Sequence, residues 1–221
     1  MDYAVIFDMD GVIFDSERLV IECWKVVADK YGIPDIEEVC YQCMGLTYEA
    51  TEQVYRARYG DAYPYERYRD EVSRLFHDRY DGGRLPVKPY VREILAYLKG
   101  LGVPVALASS TRLASVRLEL GDAGLLPCFD VIKGGDDVQH GKPAPDIFLL
   151  TARELGVEPG RCYVVEDSPN GIRAAHAANM HPIMVPDLQT PGAEMRSLAE
   201  VIVPSLKEAK EYLADILEKA K

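Results

Sequence analysis

The 221-residue sequence predicts an α/β fold in which an all-helical segment interrupts a parallel sheet. Three observations predict it. Short apolar runs end in polar residues, helical patterns separate those runs, and residues 16–81 are rich in charge and tyrosine but show no strand pattern.

Residues 3–8 (YAVIFD) form a short apolar run ending in an acid, the pattern of a strand buried on both faces of a parallel sheet. The run 103–108 (VPVALA) has the same character and leads to Ser109, and 161–167 (RCYVVED) ends in Glu166 and Asp167. Shorter candidates lie at 130–132 and 182–185. In open parallel sheets, ligands bind outside the carboxyl ends of the strands, where these polar residues fall. Pro89 opens a helical pattern over 89–100, with Val91, Ile94, Leu95 and Leu98 at helical spacing and Gly100 near its stop. Pro145 sits near the start of a helix over 145–155, and the Ala-rich stretch 169–179 follows the acids of the third strand. The tail 205–220 reads as an amphipathic helix with Ser205 as its N-cap.

Between the first strand and residue 82, the spacing predicts helices over 16–31, 36–43, 47–59 and 64–80. The run DGGRLPVKP (81–89) reads as a linker back to the α/β pattern. The expected organisation is a three-layer core formed by 1–15 and 82–221, with a helical cap domain over 16–81. There is no internal repeat and no low-complexity tract.

Hydrophobic residues make up 48% and charged residues 28%, as in ordinary globular proteins. A formal net charge of -11 repels nucleic acid and anionic membranes, so neither is expected as a partner. It also repels a phosphorylated ligand unless the site is locally positive or holds a cation. No apolar run approaches the roughly 20 residues of a membrane span. The N-terminus, MDYAVIFDMDG, has acids where a secretory leader would be basic. The five cysteines are scattered, and Cys40-x-x-Cys43 lacks the second pair or His partner of a zinc site. Reduced thiols, a cytoplasmic home, and a monomer or weak dimer are expected.

The chemistry centres on Asp8-Met9-Asp10-Gly11-Val12. Two carboxylates at the end of a buried strand are costly without partners. A divalent cation is the simplest partner, and hard oxygen ligands suit Mg²⁺. Ser109-Ser110-Thr111 brings hydroxyls and backbone N–H groups to a strand end, a candidate anion site. Lys142 lies between Gly141 and Pro143, where the backbone aims its ammonium, and Glu166-Asp167 is a second carboxylate pair. A nucleophilic carboxylate, a neighbouring acid, a cation, a lysine and hydroxyl donors are the parts that aspartyl-phosphate chemistry requires.

FDMDGV, LASST, GKPAPDIF and VVEDSPNGI, in that order, resemble the four signature motifs of the haloacid dehalogenase-like hydrolase superfamily. The resemblance covers essentially the whole chain. It implies a Rossmann-like core with a helical cap, of the subgroup that holds β-phosphoglucomutase, phosphoglycolate phosphatase and pseudouridine-5′-phosphatase-like enzymes. It also implies Mg²⁺ as cofactor and a small phosphorylated metabolite as substrate. Asp8 matches the nucleophile. Asp10 matches the general acid, then base, with its backbone carbonyl on the metal. Ser109 matches the phosphate-binding hydroxyl, with Gly11, Ser110 and Thr111 grouped beside it. Lys142 matches the lysine that neutralises the phosphoryl oxygens. Asp167 matches the metal-binding acid, and Glu166 stands with it as a metal or supporting group. In the cap, Glu17, Arg18 and Gly45 fall where the cap closes over the nucleophile, with Arg18 placed to meet an anionic substrate.

Asp10 separates the functions within that superfamily. An alkyl halide needs no proton on its leaving group, whereas an alkoxide does, so Asp10 argues for a phosphate ester over dehalogenation. A β-phosphoglucomutase-like mutase is the alternative. Against it stand Val20, where that enzyme has a cap histidine, and Tyr48 or Glu49, where it has a cap arginine. A catalytically silent phosphate-binding module would show a broken motif, and the five main positions are intact. The tyrosines 55, 59, 63, 65 and 68 read as cap packing, and His77, His140, His176 and His181 lack ligand-like spacing.

Overall fold

The computed structural model describes residues 3–219; Ala220 of the expected terminal helix lies outside the described residues. Its centre is a parallel sheet of strands β1 (Ala4–Phe7), β2 (Val105–Ala108), β3 (Val131–Lys133), β4 (Cys162–Glu166), β5 (His181–Met184) and β6 (Val201–Ile202). The spatial order is β3-β2-β1-β4-β5-β6. Phe7 pairs with Leu107 on one side and Val165 on the other, so the ends of β1, β2 and β4 finish level.

Between β1 and β2 run the cap helices α1 (Ser16–Tyr31), α2 (Ile36–Cys43), α3 (Tyr48–Tyr59) and α4 (Tyr65–Tyr80), followed by α5 (Val91–Leu101). The remaining helices are α6 (Leu113–Asp122), α7 (Asp146–Leu155), α8 (Pro169–Ala177), α9 (Ala193–Leu198) and α10 (Leu206–Lys219). Helix α5 starts two residues after Pro89 because Tyr90 adopts φ 67°, outside the helical region.

Alternate strand residues build the two sides of the core, as the period of a strand requires. Ala4, Ile6, Ala106, Ala108, Cys162 and Val164 pack with Ile147 and Phe148 of α7 and Ala174 and Ala175 of α8. Val5, Phe7, Val105, Leu107 and Val165 join a cluster with α5, α6 and α10 that continues into the cap. Strands β1, β2 and β4 are therefore apolar on both faces, which is why they read as unbroken apolar runs. Within the cap, Trp24 and Tyr65 lie against Tyr55, with ring centroids 4.8 and 4.9 Å away. Tyr59 stacks on Tyr63 at 4.7 Å, so the tyrosines are packing groups as expected.

The chain crosses between core and cap twice, and the crossings are tied together. Lys88 N–H donates to the Ile13 carbonyl at 2.9 Å, and Asp15 N–H donates to the Pro86 carbonyl at 3.0 Å. No helix among the described residues is long and apolar enough to cross a membrane. The five cysteines are all free, as expected.

Candidate active site

The strand ends converge as the sheet order dictates. Asp8 follows β1, and its N–H donates to the Val165 carbonyl of β4 at 2.9 Å, which sets it beside Glu166 and Asp167. Lys142 enters from the loop before α7. Its Nζ donates to Asp8 Oδ1 at 2.5 Å, to Glu166 Oε1 at 2.7 Å and to the Ala108 carbonyl at 3.2 Å. All three donor positions of the ammonium are therefore used, and the residue is only 2% exposed. Burial works against the charge on Lys142, but the two carboxylates hold its pKa above the usual lysine value. Burial pushes Asp8 up to about 8, against the pull of Lys142.

Glu166 is fully buried and fully engaged. Besides Lys142, its Oε2 accepts from Ser168 N–H at 2.8 Å and Ser168 Oγ at 3.0 Å. Ser168 also caps α8 by accepting from Gly171 N–H at 3.0 Å. Gly171 leaves the space that Glu166 fills: a Cβ there would stand 1.6 Å from Glu166 Oε1. Sequence reasoning did not single out Ser168 or Gly171, although the S-x-x-G spacing at the start of a helix was available as a cap signal. Both oxygens of Glu166 thus serve Lys142 and Ser168, while one oxygen also lies within 4.8 Å of Asp8 and Asp167.

Asp167 is the opposite case. It is 2% exposed, and neither of its carboxylate oxygens meets a hydrogen-bond donor among the described residues. Asp8, Glu166 and Asp167 present oxygens within 4.8 Å of one another, and so do Glu17, Asp167 and Asp187. Gly11, at φ 76°, provides the cradle, since a Cβ there would stand 2.3 Å from Asp167 Oδ2. Burial pushes the pKa of Asp167 well above the carboxylate range, with Glu17 and Glu166 adding to it. Two buried, unpartnered oxygens among hard oxygen donors fit a divalent cation.

Asp10 sits at the rim, oriented by three hydroxyls. Ser16 donates to its Oδ1 at 2.6 Å, and Thr111 and Ser109 donate to its Oδ2 at 2.8 and 3.4 Å. Ser109 is completely buried, and its Oγ also accepts from Thr111 N–H at 3.0 Å. The hydroxyls that line the cavity beside Asp10 are those of Ser110 and Thr111. Ser109, expected as a phosphate-binding hydroxyl, lies beneath these two neighbours, which were expected beside it.

That cavity, of about 220 Å³, opens between core and cap over Asp8 and Asp10, with Val20, Trp24, Gly45 and Tyr55 among its cap-side walls. A second hollow of about 480 Å³ shares Asp10, Val20, Trp24 and Thr111 with it and reaches Tyr48, Arg69 and Arg112. The Arg69 and Arg112 guanidinium carbons lie 4.3 and 4.7 Å from the Tyr48 ring centroid. These arginines went unnoticed in the sequence because they sit in different helical segments, and only the closed cap brings them to one ring.

Three core side chains hold the cap loop at residues 41–45 by its carbonyls. Ser110 Oγ donates to Gly45 at 3.0 Å, Asn170 Nδ2 to Met44 at 3.1 Å and Gln189 Nε2 to Tyr41 at 2.7 Å. Gly45, at φ 72°, is required by contact as well as by backbone, since a Cβ would stand 2.4 Å from Ser168 Oγ. Glu17 lines the cavity, as expected, but faces the acid Asp167. Arg18 does not reach it: its guanidinium pairs with Asp15 and Glu22 at 2.7 Å each on the exposed side of α1. The helical phase explains this, because residues 17 and 18 point about 100° apart. His77 and His140 pair with Asp81 and Asp146, and His77 also lines the second hollow.

A family model described as a haloacid dehalogenase-like hydrolase matches residues 4–179, and the chain belongs to that family. It is an enzyme of the phosphoric monoester hydrolase class. A protein of Thermotoga maritima named "Phosphorylated carbohydrates phosphatase" is 35% identical over 184 residues, covering 81% of this chain and 83% of the relative. A Drosophila melanogaster protein named "Probable pseudouridine-5'-phosphatase" is 34% identical over 211 residues, covering 93% and 90%. The crystal structure of β-phosphoglucomutase from Clostridium difficile superposes with a TM-score of 0.81 at 25% identity, covering 100% of this chain and 99% of that one.

Proposed function

We propose that the chain is a Mg²⁺-dependent phosphatase that hydrolyses a small phosphorylated metabolite, a sugar phosphate or nucleotide-type monoester, through an aspartyl phosphate on Asp8. The observation that carries the reading is the pairing of Asp8 with Lys142 at 2.5 Å on the floor of a cavity whose other wall is the unpartnered Asp167. Lys142 fixes one oxygen of Asp8, leaving Oδ2 to attack phosphorus in line. The bond between phosphorus and the leaving oxygen breaks as the Asp8–phosphorus bond forms, and Asp10 delivers the proton that oxygen requires. Asp10 then takes a proton from the water that attacks the phosphorylated Asp8, releasing phosphate and restoring the carboxylate. Ser16 and Thr111 hold Asp10 in reach of both steps. Asp8, Asp167 and the Asp10 backbone carbonyl would hold Mg²⁺, which supplies charge neutralisation for the transferring phosphoryl group.

In this reading residues 16–81 form a cap domain over a core of 1–15 and 82–221, and the cap closes the cavity against water. Arg69 and Arg112 give an anionic substrate a positive rim on a chain of net charge -11. The printed names of the relatives, which pair phosphatase activity with carbohydrate and nucleoside phosphates, support this substrate range. The likeness to β-phosphoglucomutase favours a sugar-phosphate mutase as the second reading. Val20, which lines the cavity where a histidine would be expected, stands against it.

The test is phosphate release with Mg²⁺ from phosphorylated sugars, nucleotides, pseudouridine 5′-phosphate and phosphoglycolate, with isomerisation of β-glucose 1-phosphate followed in parallel. Release is expected from a subset, and Asp8→Asn is expected to lower it by roughly 10³-fold or more. Isomerisation without release would establish the mutase. Turnover surviving in Asp8→Asn, with deamidation excluded by mass spectrometry, would remove Asp8 as nucleophile.

A further inference from the structure

The carboxylate group on the far side of Asp167 has no part in the scheme above. Glu17 and Asp187 each place an oxygen within 4.8 Å of Asp167. Glu17 Oε2 and Asp187 Oδ2 are buried without a hydrogen-bond partner, as are both oxygens of Asp167. Three carboxylates gathered this closely, with orphaned oxygens among them, are costly unless a cation shares them. Lys88 pairs with Asp187, at Oδ1, at 2.5 Å. Lys142 is already committed to Asp8 and Glu166.

The positions of these groups in the fold give the cluster its meaning. Glu17 lies in the first turn of α1, just past the first crossing from core to cap. Lys88 lies on the second crossing, where its N–H bonds the Ile13 carbonyl of the first at 2.9 Å. Asp187 belongs to the core, on the segment after β5 that also carries Gln189, the donor to the Tyr41 carbonyl of the cap. One carboxylate from the first crossing and one from the core segment after β5 therefore converge on Asp167.

We propose that Glu17 and Asp187 are positioning residues that complete the charge of the cation site around Asp167, so that cation binding fastens the first hinge crossing to the core. This rests on the reading of Asp167 as a cation ligand. It makes the cation a conformational clasp as well as a catalytic partner: occupancy holds Glu17 at the start of α1 against Asp187 on the core segment after β5. Outer carboxylates around a metal commonly change its affinity by about 10- to 100-fold when replaced.

The experiment uses the full chain with Mn²⁺ as probe, following free Mn²⁺ by electron paramagnetic resonance in wild type, Glu17→Gln, Asp187→Asn and Asp167→Asn. Asp167→Asn is expected to abolish measurable binding, and each of the other two to weaken it about 10-fold or more. Hydrogen exchange of wild type with and without Mg²⁺ is expected to show added protection at the amides of 13–17 and of Lys88, whose N–H bonds the Ile13 carbonyl, and that protection is expected to shrink in Glu17→Gln. Loss of binding in Asp167→Asn with affinities within twofold of wild type in the other two variants would overturn the inference alone. Undiminished binding in Asp167→Asn would overturn the cation reading itself. Should either outer variant melt in EDTA well below wild type, the other still decides. Hinge amides of the wild type that ignore Mg²⁺ would overturn the clasp without any variant.

Discussion

Two halves of one carboxylate floor are treated in opposite ways. On one half, Asp8 and Glu166 share the Lys142 ammonium, and Ser168 satisfies the remaining oxygen of Glu166. On the other, Asp167, Glu17 and Asp187 face each other with four oxygens unanswered. Each half must lose its charge or find a counter-charge to be buried at all. The chain builds a shared counter-charge into the first half, but gives the second only Lys88 at one oxygen of Asp187 and leaves Asp167 to something that comes from outside. That asymmetry fits phosphoryl transfer, where a fixed lysine can orient the nucleophile but the incoming phosphate brings its own negative charge and needs a second cation beside it.

The contrast is tested most severely by removing the built-in cation. In Lys142→Met, Asp8 and Glu166 face each other with no counter-charge, and breaking a buried pair in this way typically costs about 3–5 kcal/mol. Chemical denaturation is expected to show a loss of that size, together with loss of phosphate release. A variant as stable as wild type would mean that the two carboxylates find another partner and that the halves are not so different.

A smaller effect is expected from pH. The carboxyl groups of Asp8, Glu17 and Asp167 are pushed up mainly by burial, Asp8 to about 8. A folded-state value above the unfolded one means that the folded chain binds the proton more tightly. The associated stability is full below the unfolded value near 4 and is lost as pH rises toward 8. Metal-free protein is therefore expected to melt at a lower temperature at pH 8 than at pH 5, by roughly 4 °C or more. Because a cation competes with those protons, the rise in melting temperature on adding Mg²⁺ is expected to be larger at pH 8. An equal Mg²⁺ effect at both values would show that the Asp167 half is not where the cation acts.

Much of this was legible in the sequence, and the physical reasons for what was not are specific. The strands β1, β2 and β4 announce themselves because both faces are covered, and α1 and α2 match the expected ranges because their apolar residues keep one helical face. The two-residue β6 and the six-residue α9 are too short for any periodicity to register. Asp8, Asp10, Lys142 and Asp167 could be named because each sits at the end of a strand or in a tightly constrained loop. Asp187 could not. Nothing local distinguishes it, and only the adjacency of β4 and β5 carries it to Asp167. Ser109 illustrates the converse, since its position in the chain was right but the depth at which the turn buries it belongs to three dimensions.

Arg18 gives the smallest expected effect and the cleanest control. It is adjacent in sequence to Glu17, carries the opposite charge, and would seem the natural anion contact of the pair. In the fold, one residue along a helix turns it away, to where Asp15 and Glu22 hold it at the surface. Exposed pairs of this kind contribute little and are screened by salt. Arg18→Ala is expected to leave the melting temperature within about 2 °C of wild type and kcat/KM within about twofold, for every substrate that the enzyme accepts. A substrate-dependent rise in KM would place Arg18 over the cavity in the working enzyme, and would mean that α1 rotates about its axis when substrate enters. Since Glu17 lies on the same turn, that rotation would also carry its carboxylate away from Asp167. The Arg18 variant thus reports, from the outside of the helix, whether the acidic half of the floor stays assembled during turnover.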